Sequence, residues 1–184
     1  MSAPHIPTAD PDLAPLPAGW ISHASCALAG PVATAALAQA MAPNLGPGDC
    51  VLLQGQLGAG KSHFARALIR ALLGPDGQNT DIPSPSFTLV QSYDTPSCEV
   101  WHADLYRLSD PYEVIELGLD LAMEQAICLI EWPDRIAPDW PGDAVCLRLE
   151  TPPQTPEARI ATLVAPEQVD LAARLAPIMV RVCA

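Results

Sequence analysis

Apolar residues along the chain recur in two patterns, one typical of amphipathic helices and one typical of buried strands. Helical spacing or a helix-start signal predicts four helices: residues 32–41, residues 63–73, a helix from 110 to about 118, and residues 167–176. Apolar runs predict six strands: residues 50–53, 87–93, 99–104, 126–130, 145–150 and 159–164. The segment 74–86 is rich in Gly, Pro, Asp and Ser and is predicted to be a loop.

The length of the chain and its N-terminal segment favour one domain. The first 18 residues contain five prolines, Asp10 and Asp12, and are predicted to be a disordered, Pro-rich tail. They lack the basic and apolar regions of a signal peptide, and no run of about 18 apolar residues predicts a membrane span. We therefore expect a cytoplasmic protein with a single folded domain over residues 19–184.

A phosphate-binding motif follows the first predicted strand. Residues 55–62 have the sequence GQLGAGKS, which matches the pattern G-x-x-x-x-G-K-[S/T]. The glycines of such a loop let backbone N–H groups approach a phosphate, and the following helix directs its positive end at the same anion. Lys61 is expected to reach the terminal phosphates and Ser62 to bind Mg²⁺. The motif therefore predicts a site for a nucleoside triphosphate with Mg²⁺.

The charge composition supports this role for Lys61 and argues against direct binding of nucleic acid. The formal charge is −12, with nine Lys and Arg against 21 Asp and Glu, and Lys61 is the one lysine. A lysine kept in an arginine-rich chain is expected where a compact ammonium group is needed. Residues 99–150 hold 12 acids and three arginines. We expect this acidic region either to meet a protein partner or to be solvated surface, and not to grip RNA.

Two carboxylates at the ends of predicted strands are candidates for binding metal and water. Glu131 follows the apolar run 126–130, where a buried charge needs a partner, and Asp104 closes the strand 99–104. A protein with this phosphate loop needs a carboxylate for Mg²⁺ and usually a group that orients the attacking water, and both acids are candidates. His102 shares a strand face with Asp104, and is either a packed or surface histidine or a second metal ligand.

A loop with three hydroxyl groups precedes the second predicted strand. It has the sequence Ser84-Pro85-Ser86-Phe87-Thr88. Either Ser86 or Thr88 is a candidate to sense the terminal phosphate and Mg²⁺. The alternative is that these residues only form a turn.

The six cysteines predict neither a zinc site nor disulfides. No two of them have the Cys-x-x-Cys spacing of zinc ligands. Because no signal peptide is present, reduced thiols are favoured over disulfides. Most of the cysteines lie in apolar runs, as small buried hydrophobic residues do.

Four motifs in sequence order carry a resemblance to a known family: GQLGAGKS at 55–62, SPSFTLVQSY at 84–93, HADLYRL at 102–108 and ICLIEWP at 127–133. From about residue 21 to 164 the chain resembles the bacterial ATPase family of tRNA threonylcarbamoyladenosine biosynthesis, called TsaE or YjeE. The resemblance implies an α/β fold of the P-loop NTPase class, with a mainly parallel β-sheet flanked by helices and some antiparallel strands. It also implies a Mg²⁺-dependent ATP hydrolase, weak alone and stimulated by partners, that supports threonylcarbamoylation of N6 of adenosine 37 in tRNA.

The resemblance further implies residue roles and partners. Nucleotide contacts are expected at Gly55, Gln56, Leu57, Gly58, Ala59, Gly60, Lys61, Ser62, His63 and Ser86. Mg²⁺ is expected at Ser62, Asp104 and Glu131, and catalysis at Lys61, Asp104 and Glu131. Of the two acids, Asp104 is expected near Mg²⁺ and Glu131 is expected to orient metal-bound or attacking water, and these two roles can be exchanged. Trp132 is expected to contact a partner or the nucleotide, or else to pack in the core. The implied partners are ATP or ADP and transferase proteins of the TsaD and TsaB type, with tRNA met only indirectly and no membrane.

The chain departs from the family pattern at a few positions. Gln56 replaces a more usual acid, while Ser62 and Ser86 replace threonines and keep the hydroxyl group. Residues 120–124 lack the usual acidic-aromatic step, which puts the local partner surface in doubt.

Other functions also use a phosphate-binding loop. A GTPase of the common class selects guanine with Asn-Lys-x-Asp, which a chain whose one lysine is Lys61 cannot contain. A small-molecule kinase closes a lid with several arginines, and only Arg107, Arg135 and Arg148 lie between residues 99 and 150. The kinase is kept as the alternative function. A module that uses ATP as a slow switch overlaps with the family's activity.

Overall fold

The computed structural model describes residues 13–108, 110, 113–137 and 139–183. Its strands are β1 (Trp20–Leu28), β2 (Cys50–Gly55), β3 (Val90–Asp94), β4 (Glu99–Asp104), β5 (Ile127–Glu131), β6 (Val145–Glu150) and β7 (Arg159–Pro166). Its α-helices are α1 (Pro31–Met41), α2 (Lys61–Leu72), α3 (Glu113–Glu116), α4 (Leu119–Gln125) and α5 (Asp170–Val182). Short 3-10 helices cover Ala42–Asn44, Gly74–Asn79 and Pro133–Ile136.

The strands form one mixed sheet in the order β1-β7-β6-β2-β5-β4-β3. At its centre, β2 pairs in parallel with β5 and β6, and β4 pairs in parallel with β5. Towards the edges, β3 runs antiparallel to β4, and β7 runs antiparallel to both β6 and β1. The predicted α/β fold, with a mainly parallel sheet flanked by helices and some antiparallel strands, is confirmed, and the parallel pairings are those at the centre of the sheet.

Helices cover both faces of the central strands, which explains the continuous apolar runs in the sequence. All six residues of β2 are buried. Val51 and Leu53 belong to a core shared with α1, α2 and α5, whereas Cys50 and Leu52 belong to a second core shared with α3 and α4. The phosphate-loop motif thus begins at the end of a strand that packs against a hydrophobic core on each face.

Several predicted elements have different bounds in the structure. The prediction of a strand from residue 87 is wrong at its start, because Leu89 takes a positive φ of 64° in a turn and β3 begins at Val90. The predicted loop 74–86 contains a 3-10 helix, Gly74–Asn79. The last helix spans Asp170–Val182 instead of 167–176. β1 and α4 were not predicted, since β1 is an edge strand with several exposed positions and α4 has seven residues.

The helix predicted from residue 110 falls partly on Pro111 and Tyr112, which lie outside the described residues. The side chain of Glu113 accepts a hydrogen bond from the backbone N–H of Asp110 at 3.0 Å, as expected of a capping box. Gly118 has a φ of 73° and separates α3 from α4, so its predicted place after the helix is confirmed.

The prediction of six reduced cysteines is wrong for one pair. Cys26 on β1 and Cys183 after α5 are joined as a disulfide, with Cα atoms 5.7 Å apart. The two residues are 157 positions apart in sequence, and they meet because α5 packs against β1. Cys50, Cys128 and Cys146 are free and buried, as predicted, and burial raises the pKa of Cys128 to about 12.

Most of the predicted tail, residues 1–12, lies outside the described residues. Nearer the domain, the carbonyl of Ala14 accepts a hydrogen bond from the buried Gln54 side chain at 3.2 Å, and Leu16 packs against the second core. Among the helices of the described part of the chain, none has the length and apolar character needed to cross a bilayer.

Candidate functional site

The carboxyl ends of β2, β5 and β4 meet at one edge of the sheet and carry the predicted site. Gly55 ends β2, Glu131 ends β5 and Asp104 ends β4. In the strand register Asp104 lies opposite Glu131, and Glu131 lies opposite Leu53 of β2. Ligands of open α/β sheets bind at this edge, outside the carboxyl ends of the parallel strands.

The loop between β2 and α2 has a backbone that requires glycine at specific positions. A Cβ atom on Gly55 would lie 2.5 Å from the carbonyl oxygen of Leu149 on the neighbouring strand. Gly58 and Gly60 have φ angles of 81° and 102°, which side chains disfavour. The spacing of glycines in the motif is therefore explained by the fold.

Arg159 at the start of β7 holds this loop from outside the motif. Its Nε donates to the carbonyl of Ala59 at 2.9 Å, and its second terminal nitrogen donates to the carbonyl of Gly58 at 3.1 Å. These two bonds restrict the conformation of the loop whose backbone N–H groups are expected to bind the phosphate. Arg159 was not predicted, because it lies 100 residues from Ala59 and belongs to no motif.

Lys61 is buried at the start of α2 and folds back over the loop. Its Nζ donates to the carbonyls of Gly55 at 2.6 Å and Gln56 at 2.9 Å. The same atom lies 3.6 Å from the centre of the Trp132 ring, a cation–π contact. Burial lowers the pKa of Lys61 to about 8, and the negative charge of Glu131 is the largest opposing influence.

Both predicted acids are buried and held by hydrogen bonds. Glu131 accepts from the hydroxyl of Ser62 at 2.8 Å through one oxygen, and its other oxygen lies 2.8 Å from Nε2 of His102. Asp104 accepts from the hydroxyl of Ser86 at 2.6 Å and from the backbone N–H of Tyr106 at 3.0 Å. Of the two hydroxyl candidates in the loop 84–88, Ser86 is the one whose contact to an acid the structure records, whereas Thr88 is exposed.

Trp132 directly follows Glu131 and adopts an unusual backbone conformation. Its φ of 60° and ψ of 51° lie in the left-handed region, which is rare for an aromatic residue and costs on the order of 1–3 kcal/mol. Its ring contacts Lys61 on one side and Tyr106, at a centroid distance of 4.9 Å, on another. Such strain is typical of functional sites, where surrounding contacts maintain it.

Two cavities flank the loop. The first, of about 250 Å³, is lined by Tyr106 and by ten of the predicted site residues: Leu57, Gly58, Gly60, Lys61, Ser62, His63, Ser86, Asp104, Glu131 and Trp132. The second, of about 280 Å³, is on the β7 side and is lined by Gly30, Pro31, Thr34, Gly58, Ala59, Gly60, His63, Glu157 and Arg159. Gly55 and Gln56 line neither cavity and instead accept hydrogen bonds from Lys61 through their carbonyls.

The first cavity has oxygen ligands suited to Mg²⁺ bound together with a nucleotide. Mg²⁺ prefers oxygen ligands and is commonly held by one or two carboxylates together with substrate phosphates. Ser62, Asp104 and Glu131 supply one hydroxyl and two carboxylates there. Within the described residues no three His, Cys, Asp or Glu side chains form a cluster able to hold a metal without such phosphates. The residues present therefore fit Mg²⁺ bound together with a nucleotide.

Sequence comparisons identify similar proteins. The family model "Threonylcarbamoyl adenosine biosynthesis protein TsaE" matches residues 28–160. A tRNA threonylcarbamoyladenosine biosynthesis protein TsaE from Rickettsia felis is 46% identical over 103 residues, which cover 56% of this chain and 58% of that protein. The protein of the same name from Bacillus subtilis is 36% identical over 114 residues, 61% of this chain and 68% of that protein. The match to the Rickettsia felis protein thus spans less than two thirds of its length.

The fold is also similar to a solved structure. The crystal structure of Bacillus subtilis YdiB superposes with a TM-score of 0.67 at 25% sequence identity, and the match covers 88% of this chain and 95% of that one. The similarity therefore extends over nearly the whole of that chain.

Proposed function

The chain belongs to the TsaE family of threonylcarbamoyl adenosine biosynthesis proteins, and on that premise we propose that it is an ATP hydrolase supporting this modification of tRNA. The observation that carries the proposal is the convergence of Lys61, Ser62, Asp104 and Glu131 on one cavity beside a phosphate-binding loop. A buried ammonium, a hydroxyl and two carboxylates are the groups that phosphoryl transfer to water requires.

Each of these groups has a distinct role in the proposed reaction. Ser62 and one of the two acids, with Asp104 preferred, would hold Mg²⁺, which would supply charge neutralisation on the phosphate oxygens when bound. Lys61 leaves the carbonyls of Gly55 and Gln56 and donates to the terminal phosphates. The other acid, with Glu131 preferred, accepts a hydrogen bond from the attacking water and orients it. Ser86, whose hydroxyl donates a hydrogen bond to Asp104, senses the terminal phosphate.

The positions of the two cavities suggest how the nucleotide is oriented across the loop. The cavity with both acids suits the terminal phosphate, where the bond is broken. The nucleoside then extends to the opposite side of the loop, into the cavity at the β1–α1 junction. His63, which lines both cavities, lies at the boundary between phosphate and nucleoside.

A protein partner is proposed at the mouth of the first cavity. Leu57, Phe87 and Tyr106 are large apolar residues with exposed fractions of 82%, 88% and 46%. Leu57 and Tyr106 line the cavity, and Phe87 follows Ser86, which also lines it. Exposed apolar side chains beside a cavity are typical of a surface that a partner covers. We propose that transferase proteins of the TsaD and TsaB type dock there and stimulate turnover, while tRNA is held by those partners.

Turnover of ATP with and without the partner proteins tests the function. We expect slow hydrolysis by the wild-type chain alone, faster hydrolysis in the complex, and a loss of about 100-fold or more in Glu131→Ala under both conditions. Glu167→Ala removes an exposed acid outside the cavity and is expected to match the wild type. Equal rates for all variants in both conditions would contradict the proposal, and a phosphorylated small-molecule product would instead favour the kinase.

A further inference from the structure

His102 is a buried polar residue to which neither the proposed reaction nor the family motif match assigns a role. It lies on β4, two residues before Asp104, and its side chain is fully buried. Its Nε2 is 2.8 Å from the inner oxygen of Glu131, Oε1, and Glu131 is itself only 1% exposed. Because the partner is a carboxylate, the proton belongs on Nε2 and His102 is the donor.

The contact divides the two oxygens of Glu131 between different environments. Oε1 is held from the interior by His102, while Oε2 accepts from the hydroxyl of Ser62 at the wall of the cavity. A glutamate at the end of a strand has three side-chain torsions, and a hydrogen bond from behind restricts them. The position of Oε2 at the cavity is therefore set by a residue that does not line it.

The other nitrogen of His102 shows that packing alone does not explain the residue. Nδ1 is buried and, within the described part of the chain, has no hydrogen-bond partner. Burying a polar atom without a partner costs on the order of 1–3 kcal/mol. An apolar side chain would fill the same space among the central strands without that cost, so the bond to Glu131 is the feature that requires histidine.

We propose that His102 is a positioning residue that orients Glu131 for hydrolysis. The proposal rests on the proposed function, since it assigns a task to the same site. Its action is on the carboxylate and not on the nucleotide, so it affects the rate of turnover more than ATP affinity. Residues that orient a functional group from behind typically contribute about 10- to 100-fold to activity.

The test compares three substitutions of His102 in the full chain with the partner proteins present. His102→Leu removes the donor and keeps an apolar volume. His102→Gln places an amide N–H near the position of Nε2, whereas the shorter amide of His102→Asn does not reach Glu131. We expect kcat to fall about 10- to 100-fold in the Leu and Asn variants, to stay within about threefold in the Gln variant, and the Kd for ATP to stay within about threefold in all three.

The pattern among the variants separates positioning from packing. Unfolding midpoints identify any variant that does not fold, and the Gln and Asn variants, both polar, then decide without His102→Leu. Equal losses in the Gln and Asn variants, unchanged kcat in His102→Asn, or a rise in Kd without a fall in kcat would overturn the proposal. If the wild-type chain does not hydrolyse ATP in any condition, the proposed function fails instead, which is a different result.

Discussion

At the scale of single residues, Lys61 is held in a conformation that does not yet face a phosphate. Its ammonium is bonded to two carbonyls of its own loop and covered by the Trp132 ring. In the proposed function, a nucleotide would therefore replace contacts that the lysine already makes. A compact ammonium can exchange one set of acceptors for another within a small space, which a planar guanidinium with five fixed donors cannot do.

Substitution of Lys61 by either alanine or arginine is expected to prevent nucleotide binding. Lys61→Ala removes the cation, and Lys61→Arg keeps the charge but does not fit the buried space under Trp132. We expect the Kd for ATP to rise at least about tenfold in both, equivalent to about 1.4 kcal/mol, measured by calorimetry. Arg66→Ala removes a positive charge from the same helix and is expected to change the Kd little. Wild-type affinity in Lys61→Arg would show that only the charge matters.

The residue scale also shows what sequence can and cannot predict about a site. Lys61, Ser62, Asp104 and Glu131 were predicted because each belongs to a local motif or ends an apolar run, and the structure brings all four together. The contact between His102 and Glu131 was not predicted, because the strand pattern relates His102 to Asp104 on the same strand and not to a residue on another strand. A hydrogen bond across two strands depends on register, and no spacing within one strand reveals it.

At the scale of elements, the phosphate loop depends on strands that lie far from it in the sequence. Leu149 on β6 limits residue 55 to glycine, and Arg159 on β7 holds the carbonyls of Gly58 and Ala59. The helix and strand around the motif were predicted from their own periodicity, but these supports are tertiary contacts. The same reason explains why the bond between Cys26 and Cys183 was not predicted.

Removal of the Arg159 side-chain donors is expected to weaken binding of the phosphates themselves. In Arg159→Gln the carbonyls of Gly58 and Ala59 lose charged donors, so the loop samples conformations in which its N–H groups do not converge. We expect the Kd values for ATP and for inorganic tripolyphosphate to rise together by about tenfold, which corresponds to about 1.4 kcal/mol. Arg148→Gln, on the adjacent strand, is the control. Unchanged affinity for both ligands in Arg159→Gln would exclude a role in shaping the loop.

At the scale of the whole molecule, the strand order separates two sides of the site. β5 and β4 lie on one side of β2 and bring the acids, whereas β6, β7 and β1 lie on the other and bring the second cavity. The parallel strands of the sheet were predicted, but the edge strand β1 was not. The part of the second cavity lined by Gly30 and Pro31, which follow β1, was therefore not predicted either. The edge strand thus contributes to the site through the helix that follows it.

Because the acids and the second cavity lie on opposite sides of β2, we predict that the second cavity binds the nucleoside and that changes there do not alter binding of the phosphates. Pro31 is exposed at the start of α1 and lines the second cavity, so Pro31→Trp places a large ring there. Val32, its neighbour, has an exposed fraction of 85% and does not line the cavity, which makes Val32→Trp the matched control. We expect Pro31→Trp to raise the Kd for ATP at least about tenfold, or about 1.4 kcal/mol, because the nucleoside no longer fits.

Inorganic tripolyphosphate, which has no nucleoside, distinguishes the two sides of the loop. Its Kd is expected to be the same in Pro31→Trp, Val32→Trp and the wild type, because Lys61 and the loop N–H groups are unchanged. A parallel rise in the Kd for tripolyphosphate would mean that the ring distorts the loop through Gly58 and Gly60, which line both cavities. An unchanged Kd for ATP in Pro31→Trp would mean that the nucleoside lies elsewhere, and the proposed direction of the nucleotide across the sheet would be wrong.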